Sequence, residues 1–90
     1  MSKVANSITA KLSVALSPSA LDVVDDSARH AGHAGAGEGG ESHFNVTVEA
    51  AIFAGLNRVA RQRLVYDLLA EELAGPVHAL SLVTRAPGEA

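Results

Sequence analysis

Hydrophobic positions at the start of the chain repeat at three- and four-residue steps and then gather into a short valine-rich run. The first pattern predicts a helix over Ser2–Ser17, because this spacing places the apolar residues on one helical face. Those residues are Val4, Ile8, Leu12, Ala15 and Leu16. Pro18 ends the helix, since proline cannot continue its backbone hydrogen bonds. The second pattern, Ala20–Asp25, is bounded by turn formers and predicts a strand.

The clearest strand signal is the strict alternation over His43–Ala50. Its apolar positions are Phe44, Val46, Val48 and Ala50, and its polar positions are His43, Asn45, Thr47 and Glu49. This alternation predicts a strand with one buried and one open face. Four further segments follow: a turn or single helical turn at Ile52–Asn57, a helix at Arg58–Ala74, a strand at Val77–Arg85 and a disordered tail at Ala86–Ala90. The main helix has Val65, Leu68, Leu69 and Leu73 as its apolar stripe.

The order of these elements, αββααβ, predicts an α+β fold in a single domain over residues 1–90. The first two strands are joined by a loop and are expected to pair antiparallel, whereas the second and third are joined through a helix and are expected to be parallel. The result is a three-stranded mixed sheet with helices on one face.

A glycine-rich segment over Ser27–Glu41 separates the first two strands. It carries five glycines together with His30 and His33, and this composition predicts a long flexible loop. Long loops inside compact domains are uncommon and often functional. We expect this loop to be the most mobile internal segment and to become ordered when a partner binds.

All four histidines of the chain are expected at one end of the sheet. His43 opens the second strand and His78 opens the third, and parallel neighbours start at the same end, where the loop with His30 and His33 arrives. Imidazoles from a loop and a strand end suit an iron or zinc centre completed by a partner. The alternative is that His43 and His78 only cap strand ends and that the loop histidines His30 and His33 are solvated. Their side chains are expected on opposite faces, since His78 shares its face with Leu80.

Composition narrows the class of protein. The 90 residues include no cysteine, so no disulfide, thiolate ligand or cysteine nucleophile is available. No apolar run is long enough to span a membrane and no signal-peptide core follows Met1, so a cytoplasmic protein is expected. No nucleophile elbow or evident pair of carboxylates is present, which predicts a binding protein rather than an enzyme.

Arg58, Arg61 and Arg63 form a small basic cluster at the start of the main helix. In one interpretation the helix lies against nucleic-acid phosphates; in the other it is a solvated surface whose arginines pair with acids. The net charge of −3 and the scarcity of aromatic residues favour the second interpretation.

A series of short motifs, in order and spacing, resembles the BolA-like family from about Ile8 to Thr84. Asp25–Ser27 followed by Arg29 and His30 is similar to the family's entry to its loop. The other motifs are Glu41–Phe44, Phe53–Leu56, Arg61–Tyr66, Leu69–Leu73 and Val77–Leu80. The resemblance implies a fold related to the class II KH domain, in agreement with the order derived above.

The resemblance also implies a partner and a cofactor. Family members bind a monothiol glutaredoxin as a heterodimer and share a [2Fe–2S] cluster, with glutaredoxin and glutathione supplying sulfur and the BolA-like protein supplying histidine nitrogen. The C-terminal ligand falls on His78, and the loop ligand falls on His30 or His33, depending on the direction of counting. His43 becomes an accessory or partner-binding residue. The free chain is expected to be a monomer with no tightly bound cofactor.

Two departures from the family's pattern limit what the resemblance implies. Many relatives have a histidine between the two arginines of the helix, where this chain has Gln62, so any role of that histidine does not carry over. The family is also linked to DNA binding and transcriptional control, yet the glycine-x-x-glycine loop by which KH domains clamp a backbone is missing near Gly55. Weak DNA binding through Arg58, Arg61 and Arg63 is therefore the second hypothesis, and no membrane partner is expected.

Overall fold

A computed structural model describes residues 3–26, 43–75 and 77–89. The helices are α1 (Lys3–Leu16), α2 (Arg58–Leu68) and α3 (Ala70–Ala74), with a 3-10 helix at Ala51–Phe53. The strands are β1 (Ala20–Asp25), β2 (His43–Glu49) and β3 (Ala79–Arg85). Within these ranges, no helix has the length and apolar character needed to cross a bilayer.

The three strands form one mixed sheet in the order β1-β2-β3. β1 pairs antiparallel with β2, and Val23 lies opposite Val46. β2 pairs parallel with β3, and Val46 lies opposite Leu82. The α+β class, the strand order along the chain and both pairing directions are as the sequence predicted. β1 and β3 are the two edges of this sheet.

The core lies between one face of the sheet and the helices. The sheet contributes Phe44, Val46, Val48 and Leu82, and α1 contributes Ala5, Ile8, Leu12 and Leu16. Phe53, Val65 and Leu69 close the core from the connection between β2 and β3. The apolar face predicted for α1 is correct except at one position: Ala15 is exposed and Ala5 is buried in its stead. Ala5 lies three residues before Ile8, on the buried face, whereas Ala15 has rotated out of that face.

The predicted long helix is interrupted at Leu69. Leu69 has a φ of −103° and a ψ of 19°, outside the helical range, and it separates α2 from α3. Its N–H still donates to the Val65 carbonyl at 3.0 Å, and its own carbonyl accepts from Leu73 at 2.9 Å. The helix axis is therefore locally distorted at Leu69, but the backbone hydrogen bonds continue across it. The Leu69 side chain is buried in the core.

The last strand begins two residues later than the sequence predicted, at Ala79 instead of Val77. Val77 is buried, and its N–H donates to the Glu72 carbonyl at 3.0 Å, which closes the end of α3. Because of this bond, Val77 belongs to the C-terminal capping of α3 and not to the sheet. His78 consequently precedes β3 and does not open it.

The C-terminal segment differs from the disordered tail expected for Ala86–Ala90. Over the described residues it forms a turn: Ala86 is buried, and its N–H donates to the Glu89 carboxylate at 2.9 Å. The same carboxylate forms an ion pair with Arg61 of α2. The turn is ordered because this charge pair, together with the burial of Ala86, offsets the entropy of fixing a short segment.

Candidate functional site

Two of the four histidines lie together at one end of the sheet. His43 is the first residue of β2 and lies opposite Ala79 in the parallel register, so His78 is the residue just before that pair. The side chain of His43 is half-buried and that of His78 is exposed. The structure therefore confirms that these two residues lie at the same end, and the His78 side chain is exposed there.

The glycine-rich segment enters and leaves at this same end. Asp25 of β1 lies opposite Phe44 of β2, and the Asp26 N–H donates to the His43 carbonyl at 2.8 Å. The antiparallel pairing thus continues to Asp26, the last described residue before the glycine-rich segment. His30 and His33 lie outside the described residues, so both remain candidates for the loop ligand.

The alternation along the strands places the side chain of His43 on one face of the sheet, but it does not apply to His78. His43 lies on the open face with Asn45 and Thr47, as its alternation predicted, since Phe44 and Val46 are buried against the helices. His78 precedes β3, so the alternation within that strand does not fix the direction of its imidazole. The prediction that the two side chains point to opposite faces therefore stays a prediction.

The described residues do not form a closed metal site by themselves. Across residues 3–26, 43–75 and 77–89, no group of three or more histidine, cysteine, aspartate or glutamate side chains is placed to hold a metal ion. Structural metal sites in proteins usually close with four ligands. A metal centre at this end requires ligands from the loop, from another molecule, or from both.

The three arginines of α2 do not form one basic surface. Arg61 lies with its guanidinium carbon 5.9 Å from the centre of the Phe53 ring, donates from Nε to the Leu56 carbonyl at 2.9 Å, and pairs with Glu89. Its side chain is only 12% exposed. Arg58 and Arg63 are exposed, and neither has an ion pair among the described residues. They are separated by five residues, roughly 140° around the helix axis, so they face different directions.

The pKa values around this arginine follow from the ion pair. The hydrogen bonds from Arg61, and then the one from the Ala86 N–H, lower the pKa of Glu89 to about 2. The hydrogen bond to Glu89 correspondingly raises the pKa of Arg61. Arg61 therefore has a structural role in this part of the fold. Arg58 and Arg63 are two separate cations without an ion pair among the described residues.

A second ionic group ties together the opposite end of the sheet from the histidines. Glu49, the last residue of β2, accepts hydrogen bonds from Ser19 Oγ at 2.7 Å and from Arg85 Nε at 2.9 Å. The Ser19 hydroxyl and then the Arg85 guanidinium lower the pKa of Glu49. This contact joins the three strands at one end, and the alternation along each strand gave no signal for it.

The fold is a small α+β domain in which one exposed and one half-buried histidine lie at the same end of the sheet. The BolA-like protein family model matches residues 12–89, and the chain belongs to this family. The resemblance seen in the sequence is therefore confirmed. The part that the family model matches contains α2, α3 and all three strands.

Two relatives and one solved structure illustrate the similarity. The chain is 45% identical over 82 residues to BolA-like protein 1 of Mus musculus, covering 91% of this chain and 57% of that protein. It is 47% identical over 77 residues to the DNA-binding transcriptional regulator BolA of Vibrio cholerae, covering 86% of this chain and 69% of that protein. BolA1 from Arabidopsis thaliana superposes with a TM-score of 0.87 at 40% identity, covering 100% of this chain and 99% of that chain. The chain thus spans little more than half the length of the mouse relative.

Proposed function

We propose that this protein is a non-enzymatic adaptor that binds a monothiol glutaredoxin and shares a [2Fe–2S] cluster with it, in iron–sulfur cluster trafficking or in iron regulation. The observation that carries the proposal is the exposed His78 at the end of the sheet where His43 lies. The chain that contains His30 and His33 leaves and returns at this end.

The donor chemistry supports a shared cluster rather than a resident one. Iron–sulfur clusters are held mainly by thiolates, and histidine replaces cysteine on one iron in some of them. This chain has no cysteine, so glutaredoxin and glutathione would supply the sulfur ligands and His78 with one loop histidine would supply nitrogen. An open histidine end without a third described ligand fits a cluster that is carried between two proteins.

The experiment mixes the full chain with a cluster-loaded monothiol glutaredoxin and records the visible absorption and circular dichroism spectra. His78→Ala is expected to abolish the mixed-ligand spectrum, whereas the matched control His43→Ala changes it less, because His43 is half-buried and accessory. Far-ultraviolet circular dichroism verifies that both variants fold. A wild-type spectrum from folded His78→Ala would refute histidine ligation at this position.

The loop ligand is assigned by single substitutions in the same assay. One of His30→Ala and His33→Ala is expected to alter the spectrum, and the other is expected to leave it intact. Size-exclusion chromatography with light scattering checks the stoichiometry, which we expect to be a free monomer and a one-to-one complex. If both single variants behave like the wild type, the second ligand does not come from this loop.

DNA binding is the second candidate function, because Arg58 and Arg63 are exposed and unpaired in the described chain and a bacterial relative carries a regulator's name. The commitment of Arg61 to Glu89 and the net charge of −3 oppose it. Duplex DNA is titrated at two salt concentrations with the wild type, Arg58→Ala, Arg63→Ala and the control Lys3→Ala. Each phosphate contact adds to the slope of binding affinity against salt concentration. A smaller slope in the two arginine variants, but not in Lys3→Ala, would support this function.

A further inference from the structure

A groove runs between the start of α2 and the outer edge of β3. Its walls are Arg58 and Gln62 from the helix and Leu82, Val83 and Thr84 from the strand, and its volume is about 230 Å³. β3 is an edge strand, and among residues 3–26, 43–75 and 77–89 no strand pairs with its outer side. The groove therefore combines an open strand edge with the side of a helix.

The hydrogen-bonding direction along β3 identifies the groups at this edge. The Arg85 carbonyl accepts from the Ala50 N–H at 3.0 Å, so the backbone groups of Arg85 point toward β2. Backbone groups alternate in direction along a strand, and those of Leu82 and Thr84 therefore point outward, into the groove. Outward N–H and C=O groups on an edge strand are the groups that an added strand pairs with.

We infer that this groove docks an extended acidic segment of a partner protein, which adds to the sheet as a fourth strand beside β3. On such a strand, neighbouring side chains point to opposite faces. Those on the helix face meet Arg58, a cation without an ion pair in the described chain, and Gln62. Those on the open face lie beside Val83, which is 53% exposed. The fitting segment thus has an acidic residue next to an apolar one.

A protein segment fits these groups better than a single-stranded nucleic acid does. Among the described residues, one arginine without an ion pair lines the groove, because Arg61 is held by Glu89 and Arg63 lies on the other flank of α2. Stacking on aromatic side chains is the usual means of holding single strands. Phe44 and Phe53 are buried and Tyr66 does not line the groove, so no aromatic side chain of this chain is available there.

The groove is separate from the histidine end. Leu82–Thr84 lie four to six residues beyond His78, about 13 to 20 Å along the strand direction. A partner in the groove and a cluster at the histidines would therefore occupy different parts of the molecule at the same time. The groove does not depend on the cluster, and either proposal stands if the other fails.

The test uses a phage-displayed library of random twelve-residue peptides selected against the full chain. We expect enrichment of peptides that contain an acidic residue beside an apolar one. A selected peptide, made synthetically, should slow amide exchange at Leu82 and Thr84 in the wild-type protein. Selection of no peptide, of peptides without acidic residues, or of peptides that protect other amides would overturn the proposal.

Variants locate the contacts. Arg58→Glu should weaken binding of the selected peptide by about tenfold or more, because an attraction becomes a like-charge repulsion. Arg63→Glu makes the same charge change on the other flank of α2 and should leave binding unchanged. Thr84→Pro removes one outward N–H on an edge strand, where proline is tolerated, and should weaken binding as well. Equal losses from Arg58→Glu and Arg63→Glu would show a general charge effect and contradict the docking site.

A separate titration tests whether the groove binds single-stranded nucleic acid instead. A ten-residue oligothymidylate is titrated in low salt with the same amides observed. We expect no change at Leu82 and Thr84. Protection of these amides by the oligonucleotide, together with displacement of the peptide, would reassign the groove to nucleic acid.

Discussion

Arg61 and Glu89 face each other in a two-point ion pair, with Nη1 to Oε1 at 2.6 Å and Nη2 to Oε2 at 2.8 Å. The pair joins the first turns of α2 to the turn that follows β3, residues that are 28 positions apart in sequence. Arg61 also reaches the carbonyl of Leu56, so one guanidinium holds the C-terminal turn and the approach to α2 together.

This ion pair predicts a loss of stability in acid. The folded-state pKa of Glu89 is about 2, below the ordinary value of 4.5, so its contribution is complete above pH 4.5 and is lost as the pH falls toward 2. Thermal unfolding between pH 5 and pH 2 is compared for the wild type and Glu89→Gln. The difference in Tm between them should shrink steadily across this window. Asp67→Asn, which removes an exposed carboxylate without an ion pair in the described chain, is the control. A constant difference from pH 5 to pH 2 would contradict the prediction.

Glu72 is a buried carboxylate between α1 and α3, 7% exposed, and it depends on two partners. Ser7 Oγ donates to it at 2.6 Å and Lys11 Nζ at 2.9 Å. Burial raises the pKa of Glu72, but the hydrogen bonds from Ser7 and Lys11 outweigh this effect and the pKa is lowered. The hydrogen bonds from Ser7 and Lys11 therefore help to keep Glu72 charged inside the interface.

Removal of the lysine should leave that charge partly unsatisfied. We expect Lys11→Met to reduce the free energy of unfolding by about 1–3 kcal/mol, the usual cost of a buried group that loses a partner. Urea denaturation measures the change, and Lys3→Met, an exposed lysine on the same helix, should cost far less. The double variant Lys11→Met with Glu72→Met should cost less than the sum of the single variants. Additive costs would show that the two residues are not coupled.

Asn57 is the N-cap of α2, and its Oδ1 accepts the N–H of Ala60 at 2.8 Å. Asn57→Ala removes this acceptor and should destabilise the protein by about 1 kcal/mol. Asn57→Asp keeps an acceptor at the same place and should recover most of the loss in chemical denaturation. If the alanine and aspartate variants are equally destabilised, the cap does not contribute as described.

Gly55 lies in the connection before α2 with a φ of +82°, and nothing lies within 4 Å of the position that a Cβ would take. The cost of a side chain there is therefore in the backbone and not in packing. Gly55→Ala should lose roughly 1–2 kcal/mol of unfolding free energy, and Gly55→Asn should lose less, because asparagine tolerates the left-handed conformation better. Equal stability of the wild type and Gly55→Ala would contradict this account.

The sequence was most informative where burial alternates regularly. The period of His43–Ala50 predicted β2 almost to its observed end at Glu49, and the connection lengths predicted both pairing directions. The predicted start of β3 at Val77 was wrong. A buried valine is equally compatible with a strand and with the end of a helix, and only the hydrogen bond from Val77 to Glu72 shows that it caps α3.

Polar contacts between distant residues could not be predicted in the same way. Ser7 and Glu72 are 65 positions apart, and Arg61 and Glu89 are 28 apart. Apolar periodicity indicates which face of an element is buried, but it does not indicate which charges meet once the elements pack. The sequence favoured a solvated surface whose arginines pair with acids, and this is confirmed for Arg61, which pairs with Glu89. The periodicity did not indicate that Arg58 and Arg63 lie on different flanks of α2.

Insertions and deletions are easier to accommodate between β1 and β2, where His30 and His33 occur in the sequence, than before His78. The reason is the antiparallel pairing of β1 with β2. Asp25 lies opposite Phe44, so the segment between them starts and ends about 4.8 Å apart across neighbouring strands. For a connection whose two ends are held this close, the entropy of loop closure changes by only about 0.6 kcal/mol for each doubling of length. His78, in contrast, follows helices that are packed into the core, where an insertion would displace Val65 and Leu69. Among related chains, the spacing of the loop histidine is therefore expected to drift while the offset between the residues at positions 43 and 78 stays constant.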